Sequence, residues 1–479
     1  MQRREFHGSG AAAAAAAVAA GEAAGAPAAG RAGGQGSAAV AGQVAVTHRY
    51  VDDLTLGRRI PLNRERARAV MEELKIDGLV AAYTHNVYYL TNTVTTLTRF
   101  GAEFPSFATF ARDPEQPSFL LCSTGNTWET ANGEREVPEI ISMSGALNWQ
   151  DYVGATPDKM RIEPVSAGTV ARGQGISEGG PFTARELGWK KAQETYLPTS
   201  APTPAWALQR ALKRSGLLKG RIAVDDMRIA WLLQSIGVDT VTIVPGDNVF
   251  RRIRVVKTPD EIAIMRVAQE ITQHSAEAMV RALEPGMSFE QARTRFFAES
   301  AARGAEPGFL LLGITQGLLP DGVVQKGRSY MLDCSAHFKQ YQGDFARTVM
   351  IGEPAGENLR RFRAQQEGRH AAFEIIKAGV SFREVERVAR EAMIKAGMPK
   401  NVPVVALHSV GLQHGDDPAR LDVPFDVRAE SVLEENMVVT LDLPFIEIGT
   451  GAGHNEDMLR ITRNGYELMN DPRDPLLVV

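Results

Sequence analysis

The sequence predicts an α/β amino-terminal domain over residues 46–252 and an α+β carboxy-terminal domain over residues 253–479, behind a low-complexity tail at 1–45. Three observations predict this. Up to Phe250, amphipathic helical stretches alternate with short apolar, strand-like runs. From Val255 onward, long capped helices accompany two hairpin-like stretches that carry acids. The first 45 residues are mostly Ala, Gly, Ser and Gln. A length of 479 residues, 44% of them hydrophobic and 23% charged, is ordinary for a globular chain of two or three domains. A net charge of −4 offers no electrostatic footprint for nucleic acid or an anionic membrane. Two cysteines, Cys122 and Cys334, do not make a disulfide framework.

In the tail, Arg3–Arg4 followed by Phe6 and a weakly apolar alanine run resembles a twin-arginine export signal, with Ala-x-Ala cleavage sites around Ala24–Ala29. The run is too short and too weakly hydrophobic for a membrane span, and no other segment is apolar for about 18 residues. Export of the folded protein to the periplasm is the expectation.

RERARAVMEELKIDG reads as an amphipathic helix closed by Gly78 that feeds the strand LVAAYT. His85, in AYTHNVYYLTN, is expected at a loop or strand end. FATFARDPEQPSFLLC suggests two short strands around a turn, ARELGWKKAQETYLP and TPAWALQRALKRSG read as helices, and RIAVDD as a strand. No Gly-rich phosphate loop follows any of these strands. Thr258, Pro259 and Glu261 form an N-cap, first-turn proline and capping-box set that opens a helix with Ile262, Met265, Ala268 and Ile271 facing inward and His274 on the polar face. Further helices are expected at about Ser288–Arg303, Glu357–Ala378 and Phe382–Ala396.

Between them lies YMLDCSAHFKQYQGDFARTVM. A hairpin turning at Phe338–Lys339 would set Asp333 directly across from Asp344. Directly opposed side chains lie roughly 4.5–5.5 Å apart, and two ionised carboxylates that close repel unless a cation joins them. MVVTLDLPFIEIGTGAGHNEDMLRIT repeats the device, pairing Asp442 with Glu456 about a turn near Gly449. LHSVGLQHGDDP brings His408 and His414 between the two. Four carboxylates and a histidine suit hard or borderline divalent metals. Cys334, next to Asp333, points to the opposite strand face and is expected in the core.

These fragments in order resemble the creatinase, prolidase and methionine aminopeptidase superfamily, the pita-bread metallopeptidases. KTPDEIAIMR resembles its opening helix, NVYYLTN a piece of its amino-terminal domain, and LDCSAHFKQYQGDFART its Asp, ten residues, Asp pattern. LHSVGLQH, EENMVVTLDLP and NEDMLRIT resemble the histidine segment and the two acidic strands. The similarity covers about residues 60–470. It implies a creatinase-type amino-terminal domain and a catalytic domain with a pseudo-twofold sheet, helices outside, and two divalent ions (Mn, Zn, Co or Fe). The implied ligands are Asp333, Asp344, His408, Asp442 and Glu456, with Asp344 and Glu456 bridging. The implied chemistry is hydrolysis by a metal-activated water, with Glu456 or Asp442 taking its proton and His414 facing the substrate. A homodimer acting on a small peptide or small molecule is also implied.

Several residues depart from the family pattern. Asp442 stands where a glutamate is usual, and GITQGLLPDGVVQKG lacks the substrate-facing histidine common in peptidases. Proline-specific members carry an arginine two residues before the final glutamate; His454 takes that place and joins His414 and Glu456 as a candidate catalytic residue. The His408 to His414 spacing is one residue shorter than in most peptidase members. The leading expectation is an Xaa-Pro aminopeptidase or dipeptidase. A creatinase-like amidinohydrolase or dimethylsulfoniopropionate-lyase-like enzyme is the alternative, although such lyases resemble an Asp-x-Asp site where this chain has Asp333-x-Ser335. An inactive binding module is the third reading.

Overall fold

The computed structural model describes residues 56–479 except 103, 132–134, 144–155, 164–174, 314–321, 355, 421–427 and 472–475. The tail with Arg3, Arg4 and Ala24–Ala29 therefore lies outside the described residues. The first sheet comprises β1 (Gly78–Ala81), β2 (Ser106–Ala111), β3 (Phe119–Ser123), β4 (Glu139–Met143), β5 (Arg221–Val224) and β6 (Thr242–Pro245), in the order β4-β3-β2-β1-β5-β6. Its β1–β5, β5–β6 and β3–β4 pairs are parallel, and β1–β2–β3 runs antiparallel. The preceding helix, Arg64–Glu73, is capped by the Asn63 side chain, which accepts from Arg66 N, and buries Ala67, Val70 and Met71.

The strand ends at Ala81, and His85 lies in a helix, Thr84–Thr91, rather than at a strand end. The cause is Asp225. Its carboxylate accepts from Ala82 N at 2.7 Å and Tyr83 N at 3.1 Å, withdrawing these donors from the sheet ladder, and from the Asn86 side chain, Nδ2, at 2.9 Å.

The second sheet holds β7 (Glu306–Leu312), β8 (Ser329–Phe338), β9 (Tyr341–Met350), β10 (Ala406–Ser409), β11 (Val438–Asp442) and, beyond a small ladder of β12 (Phe445–Glu447) with β13 (Gly451–Gly453), β14 (Glu456–Thr462). β15 (Gly465–Leu468) adds to β14 and β16 (Leu476–Val478) adds to β9. The order β10-β11-β14-β9-β8-β7 is a palindrome about the β14–β9 junction. Each half is led by two helices, Pro259–Val280 with Phe289–Ala302 in the first and Gly356–Phe373 with Phe382–Lys395 in the second. The repetition extends to detail. Phe289 N donates to Gly322 O and Val324 N to Met287 O, as Phe382 N donates to Ser431 O and Leu433 N to Val380 O. The pseudo-twofold sheet is therefore explicit in the hydrogen bonding.

In the first half, Leu332, Cys334, Ala336 and Phe345 belong to one core with Ile262, Met265, Ala268 and Ile271 of the lead helix, the predicted stripe. Thr258 and Glu261 form the predicted capping box. Gly343 is where helix and sheet meet: a Cβ there would lie 2.4 Å from Ala268 O and Thr272 Oγ1. In the second half, Leu407, Val439, Leu441 and Leu459 pack with Val385, Ala389 and Met393. Both helix layers cover one face of the sheet, which leaves the other for the acids.

The register of the first hairpin also differs from expectation. The turn is Lys339–Gln340, with φ of 47° and 71°, so Asp333 faces Ala346 and Asp344 faces Ser335. Two positive φ values define the tight turn that matches strand twist, but Lys-Gln lacks the Asn-Gly signature that announces it. A long-range contact compensates, since Lys339 Nζ donates to Leu56 O. The second hairpin has the predicted register, Asp442 across from Glu456, around Gly449.

Candidate metal centre

One rung of the sheet runs from Asp333 on β8 through Ala346 on β9 to Glu456 on β14 and Asp442 on β11. Ala346 contributes only a methyl group, so the three carboxylates around it converge over its Cβ. Asp344, two residues along β9 from Ala346, shares this face and is fully buried. His408 comes from β10, where it pairs with Thr440. His414 comes from the loop after β10, and His454 lies two residues before Glu456. All seven predicted site residues are thus brought to one face of the sheet. Asp333 and Asp344 are diagonal neighbours rather than opposed ones.

His408 Nε2 lies 3.2 Å from Asp442 Oδ2, 3.9 Å from Asp344 Oδ2 and 4.0 Å from Glu456 Oε1. Its Nδ1 is 3.3 Å from Ser409 O, and Thr440 Oγ1 lies 2.9 Å from Nε2. His414 Nε2 is 3.2 Å from Asp344 Oδ2. His454 Nδ1 is 3.8 Å from Asp333 Oδ2. Three triads of donors each fall within 4.8 Å: Asp344, His408 and His414; Asp333, His454 and Glu456; His408, Asp442 and Glu456.

The electrostatics are those of acids crowded without solvent. Burial first, and the Asp344 and Asp442 charges second, push the Asp333 and Glu456 carboxyls well above their usual range. Burial also works upward on Asp442, but His408 holds its carboxyl well below the usual value. Conversely, burial works to lower His408, yet Asp442 and Asp344 carry it up to about 10. Burial lowers His454 to about 4, which leaves its imidazole neutral.

Fit to a cation is tested by what these groups lack. Asp333 Oδ1, Asp344 Oδ1, Asp442 Oδ1, Glu456 Oε2 and both His454 ring nitrogens are buried without a hydrogen-bond partner, and Asp344 Oδ2 has only His414 Nε2 at 3.2 Å. Orphaned buried carboxylates are costly unless paired with charge, and carboxylate oxygen with imidazole nitrogen is a donor set for Mn, Zn, Co or Fe. The residues fit a divalent metal centre.

A second layer holds these side chains in place. Gln269 clamps Asp344 through its main chain, donating from Nε2 to Asp344 O at 2.8 Å and accepting from Asp344 N at 2.7 Å. Behind Glu456, Arg347 donates to Glu456 O at 2.7 Å and to Asp457 Oδ1 at 3.1 Å, while Arg369 pairs with Asp457 Oδ2. Asp416 is buried in an ion pair with Arg254, and His414, 43% exposed, turns its Nε2 to Asp344. Phe309 meets the His414 ring edge to face at 5.3 Å.

Sequence reasoning missed Gln269, Thr440, Phe309 and His337. Strand parity could have found His337, four residues beyond Asp333 on the same face, where burial first and His414 second lower its pKa. Gln269 could not be found this way, because its partner is a main-chain group 75 residues away.

Fold and site together define a metal-dependent hydrolase built on a duplicated sheet. Residues 263–463 match the family described as metallopeptidase family M24, and residues 63–175 match the creatinase/prolidase N-terminal domain. The Xaa-Pro dipeptidase of Pyrococcus furiosus is 27% identical over 239 residues, 48% of this chain and 67% of that protein. That of Pyrococcus horikoshii is 26% identical with the same coverage. Among solved structures, an Xaa-Pro dipeptidase from Bacillus anthracis superposes with a TM-score of 0.62 at 18% identity, over 87% of this chain and 99% of that one. An X-Pro aminopeptidase from Thermotoga maritima gives 0.58 at 18% identity, also over 87% and 99%. The chain belongs to the M24 family of pita-bread metallopeptidases. Among the described residues, no helix is long and apolar enough to cross a membrane.

Proposed function

We propose that this chain is a dinuclear metal-dependent exopeptidase of the Xaa-Pro aminopeptidase or dipeptidase type, with a creatinase-type domain over 46–252 and a catalytic domain over 253–479. The observation that carries this reading is the set of buried, partnerless carboxylate oxygens on Asp333, Asp344, Asp442 and Glu456, gathered beside His408. Its substrate class rests on the kinship with Xaa-Pro dipeptidases. Asp333, Asp344, His408, Asp442 and Glu456 would hold two divalent ions (Mn, Zn, Co or Fe), with Asp344 and Glu456 shared. Such ions lower the pKa of a bound water and polarise a carbonyl.

The chain's own groups do the rest. Glu456 or Asp442 accepts the proton of the attacking water. His414, half exposed and braced by Phe309, donates to the oxyanion or the leaving amine. The His454 main chain is fixed by Thr348, whose Oγ1 donates to His454 O at 3.2 Å. A homodimer and twin-arginine export to the periplasm belong to the same proposal. Size-exclusion chromatography tests the first. Amino-terminal sequencing of protein from native cells tests the second, and an intact Met1 on cytoplasmic protein would refute it.

The function is tested with the full chain, reconstituted with Mn, Zn or Co and offered Xaa-Pro and Pro-Xaa peptides beside creatine and dimethylsulfoniopropionate. Hydrolysis of an Xaa-Pro bond is expected. A non-peptidase enzyme on the same fold is the second reading, favoured by the lack of histidine in Gly313–Gly327. Silence on every peptide with two ions bound would establish that reading instead.

A further inference from the structure

We propose that His454 is itself a metal ligand, the imidazole of the Asp333 side of the centre, so that each of the two ions has one histidine. This goes beyond the five-ligand set and rests on the two-ion reading above. The consequence is a centre that takes nitrogen-seeking divalent ions, Zn, Co or Fe, in preference to Mn.

Three observations lead here. The first is burial without partners: His454 is 3% exposed, and neither ring nitrogen has a hydrogen bond. An imidazole kept from water normally fixes its tautomer by hydrogen bonding at least one nitrogen. The second is placement. His454 Nδ1 stands 3.8 Å from Asp333 Oδ2, too far to bond, and it forms with Asp333 and Glu456 a triad whose donor atoms all lie within 4.8 Å. Atoms each about 2.1 Å from one ion stand roughly 3–4 Å apart, so the separation is that of two ligands rather than of a donor and its acceptor. Glu456 belongs to this triad and to the one with His408 and Asp442, which makes it the shared carboxylate between two half-sites.

The third observation comes from the palindrome. His408 pairs with Thr440, two residues before Asp442. The matching place in the first half faces Met331, two residues before Asp333, and is held by Gly313, whose N donates to Met331 O at 2.7 Å. The Asp333 side therefore has no histidine from its own outer strand, and His454 is the imidazole that reaches it. The chain is tightly guided there. At Gly453 a Cβ would lie 2.5 Å from Phe445 Cε1 and 2.7 Å from Thr348 Oγ1. Imidazole suits Zn, Co and Fe better than Mn, which favours carboxylate and water.

The test strips the full chain of metal, reloads it with zinc, and measures stoichiometry by titration and mean imidazoles per zinc by X-ray absorption. Wild type should bind two zinc ions with about one imidazole each. In His454→Phe the weaker dissociation constant should rise more than about 100-fold, beyond the roughly 10–100-fold that loss of an outer partner costs. At saturating zinc its imidazole count should fall to about half. His454→Asp, which offers an oxygen ligand, should restore the second ion and shift preference towards Mn, which also answers any folding defect of the first variant. A wild type with two zinc ions and only half an imidazole each would overturn the proposal while sparing the two-ion reading. An imidazole count unchanged in His454→Phe would do the same. Fewer than two ions on wild type would overturn the two-ion reading itself.

Discussion

The two halves of the second sheet share helices, strand order and even loop hydrogen bonds, yet they present their acids differently. In the β11–β14 half, Asp442 and Glu456 are directly opposed across a long, ornamented hairpin. In the β8–β9 half a two-residue turn shifts the pairing, and Asp333 and Asp344 meet diagonally. The first half offers Gly313 where the second offers His408. The backing differs too: Gln269 clamps the main chain of Asp344, whereas the strand of Glu456 is steadied by Arg347, Arg369 and Asp457. Duplication supplies a symmetric frame, and the chemistry resides in the residues that break the symmetry.

Mutations can sharpen this contrast. Asp344→Ala should abolish metal binding and turnover while circular dichroism stays near wild type, and Glu456→Ala should match it if the two are equivalent. Normal turnover by either would refute the shared-carboxylate assignment. Gly343→Ala should destabilise the first half by at least about 1–3 kcal/mol in denaturant unfolding, because its Cβ would strike Ala268 O and Thr272 Oγ1 at 2.4 Å. An unchanged unfolding midpoint would mean that helix and strand are not so tightly apposed in solution.

His414 belongs to the second half alone. His414→Ala should lower kcat by about 100-fold with metal content intact, as expected for loss of one transition-state donor. Loss of metal would reassign it as a ligand. A further contrast concerns the lead helices. Glu357 of the second half is half-buried and paired with Arg361, while burial pushes the Glu261 carboxyl of the first from 4.5 to about 7. Between these pH values the native state binds more protons than the unfolded one, so stability falls as pH rises through the window. Glu261→Gln should remove that slope, worth up to about 3 kcal/mol across the window. Equal slopes for both proteins would show that Glu261 is ionised throughout.

Much of the site was legible before the fold. Strand alternation together with an assumed turn put Asp333 with Asp344, and Asp442 with Glu456, on one face of each hairpin, and alternation alone sent Cys334 to the core, because a period of two is a local property of extended chain. The capping box at Thr258 and the inward stripe were legible for the same reason. Register was not. Which rung Asp344 occupies depends on Lys339 and Gln340 adopting positive φ, held by a contact to Leu56 far away in sequence. Nor could spacing reveal that Asp416 turns to Arg254, that Gln269 clamps Asp344, or that His454 reaches Asp333 with both ring nitrogens bare. The sequence by itself determined which donors exist and which way each strand aims them. Only the tertiary structure decided which donors meet and which are left without a partner, because burial and pairing are properties of distant segments brought together.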